Sequence, residues 1–196
     1  MTHDVRGLLL IMSGPSGVGK TSIVRAIVEQ LGARFSVSAT TRARTAQERD
    51  GVDYFFISRD EFQRWIDEGR FLEYAQVFGR NWYGTPREPV ERQLAQGHVV
   101  VLDVDVQGAA QVKRAMPESF GVFILPPSES ELLRRLRERG RDDEEAIERR
   151  YAEARKEIAF AHESGVYDAF VVNDDLDRAI REVESIVRKR RELMPK

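Results

Sequence analysis

At 196 residues, the chain is long enough to bury one sizeable core, and 41% hydrophobic with 33% charged residues is ordinary for a water-soluble globular protein. A formal net charge of −2 excludes a general electrostatic pull toward nucleic acid or a membrane surface. Cysteine is absent, which excludes disulfides and thiolate metal sites and fits a reducing cytosol.

Residues 1–7 are short and polar, and the apolar run Leu8-Leu9-Leu10-Ile11-Met12 is too brief for a secretion signal or a membrane span. The expectation is a soluble, intracellular protein of the cytoplasm that engages neither membrane nor nucleic acid. The same run predicts a buried strand leading into Gly14-Pro15-Ser16-Gly17-Val18-Gly19-Lys20-Thr21, a complete G-x-x-x-x-G-K-T loop. A helix periodic in Ile23, Val24, Ile27, Val28 and Leu31 follows, with Gly32 as its stop. Strand, glycine loop and helix in that order form a phosphate-binding context. The glycines let backbone N–H groups turn inward around phosphate oxygens, Lys20 adds a point charge, and the Thr21 hydroxyl can ligate Mg²⁺. These eight residues predict a site for a nucleoside triphosphate.

From Ser36 to about Thr85 the text changes to short aromatic-rich strands, Tyr54-Phe55-Phe56-Ile57 and Phe71-Leu72-Glu73-Tyr74. Between them Ser58 and Glu61 are spaced as a capping box, opening a helix whose buried face is Phe62, Trp65 and Ile66. This reads as an inserted lobe with its own small core. It carries Ser38-Ala39-Thr40-Thr41-Arg42, then Glu48, Tyr54, Glu73, Tyr83 and Thr85. A basic group with tyrosine hydroxyls can hold a phosphomonoester. Glu73, between Leu72 and Tyr74, needs a donor when buried. Guanine offers two adjacent donors, N1–H and the N2 amine, whereas adenine presents an acceptor at N1 that a fixed carboxylate repels. A structural arginine is the competing partner for Glu73. Thr85-Pro86-Arg87-Glu88 also reads as a helix start, with Thr85 as cap and Pro86 as first residue.

The next strand, Val99–Leu102, ends at Asp103, with Asp105 two residues on. A carboxylate at the end of a neighbouring buried strand is where a phosphate-loop protein holds Mg²⁺, often through water. Asp103 is the better placed; either residue could instead cap the following helix. After a strand at Val122–Leu125 comes a charged helix–loop–helix from Ser128 to about Tyr151 that suits a mobile lid. Ser128 and Glu131 form a capping box, and Leu132, Leu133 and Leu136 mark the apolar side. A polar turn then precedes a helix periodic in Ile147, Tyr151, Ala154, Ile158 and Ala161. Arginines gather here, and guanidinium forks stabilise the charge of phosphoryl transfer. Arg135 and Arg139 are four apart and share a helix face, although Glu131, Glu138, Glu144 and Glu145 are competing partners. A strand at Phe170–Val172 and an amphipathic helix from about Leu176 (Ile180, Val183, Val187) complete the chain.

Buried strands alternating with helices predict an α/β fold, a parallel sheet flanked by helices on both faces. The expected division is a core of residues 1–36, 86–127 and 152–196, an inserted mixed α+β lobe of residues 37–85, and a helical lid of residues 128–151.

From about Gly7 to Ile186 the chain resembles the guanylate kinases. The resemblance rests on the GPSGVGKT loop, S-A-T-T-R with E-R-D-G-V-D-Y-F-F, F-L-E-Y-A, N-W-Y-G-T-P, L-D-V-D-V-Q-G and V-V-N-D-D-L, in that order. It implies transfer of the γ-phosphoryl of ATP to GMP with Mg²⁺ as cofactor, by a monomer or homodimer. It places the GMP phosphate at Arg42, Tyr54 and Tyr83, the guanine near Ser38, Glu73, Thr85 and Asp105, and Glu48 in the GMP pocket. It places Asp103 in the magnesium shell through water and Asn173 near the adenine of ATP, and it makes Lys20, Arg42, Arg135, Arg139 and Arg150 the catalytic set. Two rivals stand beside it: a non-catalytic guanylate-kinase-like module that binds phosphorylated protein segments, and a kinase of the same fold for another phosphorylated acceptor. Two departures mark this sequence. The family pattern T-T-R-x-x-R has Thr45 at its second arginine, with Arg44 one step earlier, and Arg80 adds a residue to F-G-N-Y-Y-G, which a loop is expected to absorb.

Overall fold

The computed structural model describes residues 7–77, 79–138 and 143–194. In chain order the elements are β1 (Leu8–Ser13), α1 (Lys20–Gln30), β2 (Arg34–Phe35), β3 (Ala39–Thr40), β4 (Phe55–Phe56), α2 (Arg59–Asp67), β5 (Phe71–Val77) and β6 (Asn81–Pro86). There follow α3 (Arg87–Ala95), β7 (Val99–Asp103), α4 (Val106–Ala115), β8 (Phe120–Leu125), α5 (Glu129–Glu138), α6 (Glu144–Glu163), β9 (Ala169–Val172) and α7 (Leu176–Glu192).

A five-stranded sheet of order β2-β7-β1-β8-β9, parallel throughout, forms the core. Alternation along β1 assigns its side chains to two layers. Leu8, Leu10 and Met12 pack with Ile23, Val24 and Ile27 of α1 and Ala179, Ile180, Val183 and Val187 of α7. Leu9 and Ile11 face the other way, onto Val90 of α3, Val106, Ala109 and Val112 of α4, and Ala161 of α6. β2 is not among the apolar runs read as strands of the core sheet, because both its residues are exposed. The connection from β1 leads outward past β7 to β2, whereas the one from its neighbour β7 crosses β1 to reach β8, so the two adjacent strands connect in opposite directions. The crevice at the carboxyl end of β1 is therefore the topological switch point, where ligands of such sheets bind.

A second sheet, β4-β3-β6-β5, packs on α2 through Ala39, Phe62 and Phe71, ringed by Trp65, Tyr74 and Trp82. Ser58 caps α2 as its spacing predicts, accepting from Glu61 N at 3.1 Å. The β5–β6 register runs unbroken from Glu73↔Thr85 to Val77↔Asn81, so the extra Arg80 is absorbed in the turn. Gly79 there takes φ +63°, and Arg59 Nη2 donates to Arg80 O at 2.8 Å. Thr85 lies in β6 rather than capping α3, whose cap is Pro86. In α6 no break falls at residue 151: Ile147 and Ala154 pack on α5 while Ala161 joins the core.

Candidate active site

The phosphate loop leaves β1 at the switch point. Its backbone comes close to its surroundings, and glycine is what permits this at two places. A Cβ on Gly14 would stand 2.7 Å from Ile124 O. Gly19, cap of α1 with φ +92°, would place a Cβ 2.4 Å from Asn173 Nδ2. Asn173 itself is only 5% exposed. Its amide donates to Val18 O at 2.7 Å, so in this structure it staples the loop from beneath. Pro15 and Val18 are buried, the latter in the core, while Gly17 is half-buried and Ser16 and Thr21 face solvent. Lys20 forms an ion pair with Asp103 at the end of β7. Asp105 caps α4: its Oδ1 accepts from Gly108 N at 2.7 Å.

The second sheet supplies the facing groups. Arg42 donates to both oxygens of Glu48, at 3.0 and 2.5 Å, a bidentate fork. Its guanidinium also lies 5.5 Å from the Tyr54 ring centroid and 5.7 Å from that of Phe56. The Tyr83 ring meets Tyr54 edge-on at 5.9 Å. Thr45, at the family's second-arginine position, binds Glu48 Oε2 twice, through its N–H at 2.9 Å and its hydroxyl at 2.8 Å. These donors, with the Arg42 bonds foremost, lower the Glu48 carboxyl to about 2. Arg44 is exposed. Thr45 orients the carboxylate that in turn orients Arg42.

Glu73 is 8% exposed on β5. Its partner is not an arginine: Thr85 donates its hydroxyl to Glu73 Oε1 at 2.6 Å. Burial pushes the carboxyl above its ordinary range, Asp105 adds to the rise, and the Thr85 hydroxyl opposes it. A Cβ on Gly108 would stand 3.3 Å from Glu73 Oε2 and 3.4 Å from Asp105 Oδ1. Bare backbone therefore borders both carboxylates. Ser38, half-buried, precedes β3 and accepts from Phe55 N through its carbonyl at 2.9 Å.

The arginine-rich helices complete the rim. Ser128 accepts from Glu131 N at 3.1 Å. Arg135 donates to Glu131 Oε1 at 2.8 Å and to Asn173 O at 3.0 Å, tying α5 to the residue that staples the phosphate loop. Arg150 is exposed on α6. Arg139 lies outside the described residues. Sequence reasoning missed Glu157, which helical periodicity places on the side of α6 shared by Arg150, Ala154 and Ala161. Burial raises its carboxyl to about 7, a rise that Lys20 opposes and Asp105 and Glu153 increase.

Comparison with known proteins bears on the family of the whole chain. The family model described as Guanylate kinase matches residues 6–190. A guanylate kinase of Synechocystis sp. is 47% identical over 185 residues, covering 94% of this chain and 95% of the relative. One of Alkalilimnicola ehrlichii is 50% identical over 181 residues, covering 92% and 87%. The crystal structure of guanylate kinase from Anaplasma phagocytophilum superposes with a TM-score of 0.73 at 33% identity, covering 98% of this chain and 89% of that one. With a family model matched over residues 6–190 and near-half identity over almost its whole length, the chain belongs to the guanylate kinase family.

Proposed function

We infer that the protein transfers the γ-phosphoryl of ATP to GMP, and to dGMP, giving ADP and GDP in purine nucleotide recycling in the cytoplasm. The observation that carries this reading is the buried Glu73 carboxylate beside Asp105. It accepts one hydroxyl, from Thr85, and faces the bare backbone of Gly108. Such an acceptor asks for a ligand edge with adjacent donors, which guanine has and adenine lacks.

The acceptor oxygen of GMP belongs to a phosphate whose second pKa is about 6, so it is already ionised near neutral pH. It attacks the γ-phosphorus while the bond to the β–γ bridging oxygen breaks, and that electron pair leaves with ADP. No proton has to be removed, so the chain needs alignment and charge rather than a general base. In this reading Lys20 exchanges Asp103 for the donor phosphates held by residues 14–21. Arg42, steered by Glu48, holds the GMP phosphate with Tyr54 and Tyr83, while Ser38, Thr85 and Asp105 join Glu73 around the base. Arg135, Arg139 and Arg150 close over the transferring group. Asn173 serves the ATP side by fixing the loop.

The Thr21 hydroxyl and the Asp103 carboxylate are hard oxygen donors that fit Mg²⁺, the latter through water. Among the described residues no group of three or more acidic or histidine side chains could hold a metal ion. When bound, Mg²⁺ neutralises charge on the donor phosphates. Among the described residues no helix is long and apolar enough to cross a membrane.

Coupled ADP release measured with GMP, dGMP, IMP, AMP and UMP tests the assignment. Turnover should be fastest with GMP and dGMP. Absence of GMP-dependent ADP formation would overturn it.

A further inference from the structure

Glu73 is held by more than its own hydrogen bond. On one side of it Leu72 is the extra residue of a β-bulge: the pairing steps from Phe71↔Pro86 to Glu73↔Thr85, leaving Leu72 without a partner on β6. Bulges of this kind re-aim side chains. Phe71 packs in the core of the second sheet, whereas Leu72, buried and on the opposite face of the strand, joins the main core with Leu9, Ile11 and Val106. On the other side, β5 is an edge strand, so the outward N–H and C=O of Tyr74 have no strand to pair with. The Gln111 side chain of α4 takes that place. Tyr74 N donates to Gln111 Oε1 at 3.2 Å, and Gln111 Nε2 donates to Tyr74 O at 3.1 Å. Only a primary amide offers both an acceptor and a donor in that geometry. Gly108, one turn earlier on the same face of α4, borders Glu73 Oε2.

We propose that Gln111 is a positioning residue for guanine selection: with Leu72 it fixes Glu73 in the frame of the main sheet, next to Asp105. Arg42, Tyr54 and Tyr83 lie further along the second sheet, and among the described residues the side-chain hydrogen bonds to α4 from this sheet run to Tyr74. The carboxylate proposed to read the base is therefore set by the core through its two neighbours on β5, Leu72 and Tyr74.

This inference rests on Glu73 being the base-reading carboxylate, and the experiment separates the two. GMP and IMP differ by the N2 amine, so their kcat/KM ratio reports how well Glu73 and Asp105 are placed. Gln111→Met keeps the volume and removes both hydrogen bonds; Gln111→Ala removes volume as well. Both variants should lower the GMP/IMP ratio roughly tenfold, the equivalent of one or two lost hydrogen bonds, through KM for GMP. KM for ATP and kcat should stay near wild type. In an E73Q background the Gln111→Met effect on the ratio should vanish, because the two residues act as one unit. An unchanged ratio in Gln111→Met, or equal losses for ATP and GMP, would overturn the proposal whatever Gln111→Ala does. An E73Q enzyme with the wild-type GMP/IMP ratio would instead remove the base-reading role itself.

Discussion

Lys20 and Asp103, 83 residues apart in sequence, form one ion pair across the crevice between β1 and β7. The pair joins the cation proposed for the donor phosphates to the carboxylate proposed for the magnesium shell. In that proposal Mg²⁺ and ATP bound together satisfy both partners, whereas either alone leaves one charge without its partner. Lys20→Ala should lower kcat by roughly 100-fold, the usual scale for deleting a charge-stabilising donor. Asp103→Asn should instead raise the Mg²⁺ concentration needed for half-maximal rate. Rates over a magnesium titration at saturating GMP distinguish these outcomes.

Thr45 stands where the family pattern has an arginine, and both its N–H and its hydroxyl hold Glu48 Oε2. Thr45→Ala keeps the first contact and removes the second. Since the Arg42–Glu48 fork is partly exposed, the effect is that of a solvated ion pair. KM for GMP should rise roughly two- to fivefold, with kcat and the GMP/IMP ratio unchanged. A GMP titration with each base checks this, and a change in the ratio would show that the phosphate and base halves of the site are not separable at Thr45.

The phosphate loop and four strands of the main sheet were legible because a buried parallel strand is a continuous apolar run, as in Leu8–Ser13 and Val99–Asp103. The two serine caps, Ser58 and Ser128, were legible because capping is a local contact at fixed spacing. What stayed hidden is non-local. The β2 strand has two exposed residues, and only its neighbour β7 makes it a strand. The bulge at Leu72 exists only in the pairing of β5 with β6, so alternation along residues 71–74 could not show it. Asn173 and Val18 are 155 residues apart, and nothing in V-V-N-D-D-L says that the amide points under the phosphate loop. The raised Glu157 carboxyl likewise depends on burial by other elements, with Asp105 adding to the rise and Lys20 opposing it.

Replacing Asn173 by Ala should test the staple. The substitution leaves Val18 O without its donor in a buried place and frees the Gly19 turn that the amide packs against. Losing a buried hydrogen bond costs about 1–3 kcal/mol, and each kcal/mol moves Tm by roughly 2–4 °C for a chain of this size. The expected result is a fall in Tm together with a higher KM for ATP and an unchanged KM for GMP. Thermal melting with the two substrate titrations checks it. An unchanged KM for ATP would mean that Asn173 stabilises the fold without shaping the loop.

Glu157 gives the protein a titration inside the working pH range. Its carboxyl rises from 4.5 to about 7, chiefly by burial, with Asp105 and Glu153 adding to the rise and Lys20 opposing it. Between those two values the folded chain keeps a proton that the unfolded chain has released, so stability falls as pH rises through the window. Below 4.5 both states hold the proton and the contribution is constant; above about 7 the full cost of the buried charge remains. Glu157→Gln removes that cost. The side chain is partly exposed and water screens it, so the gain to expect is about 1 kcal/mol, or roughly 2–4 °C in Tm. Melting curves of both proteins from pH 4.5 to pH 8 should start together and separate, with Glu157→Gln the more stable at the alkaline end. A difference in Tm that stays constant across the series would show that Glu157 does not titrate there, and would assign the variant's effect to packing on α6 instead.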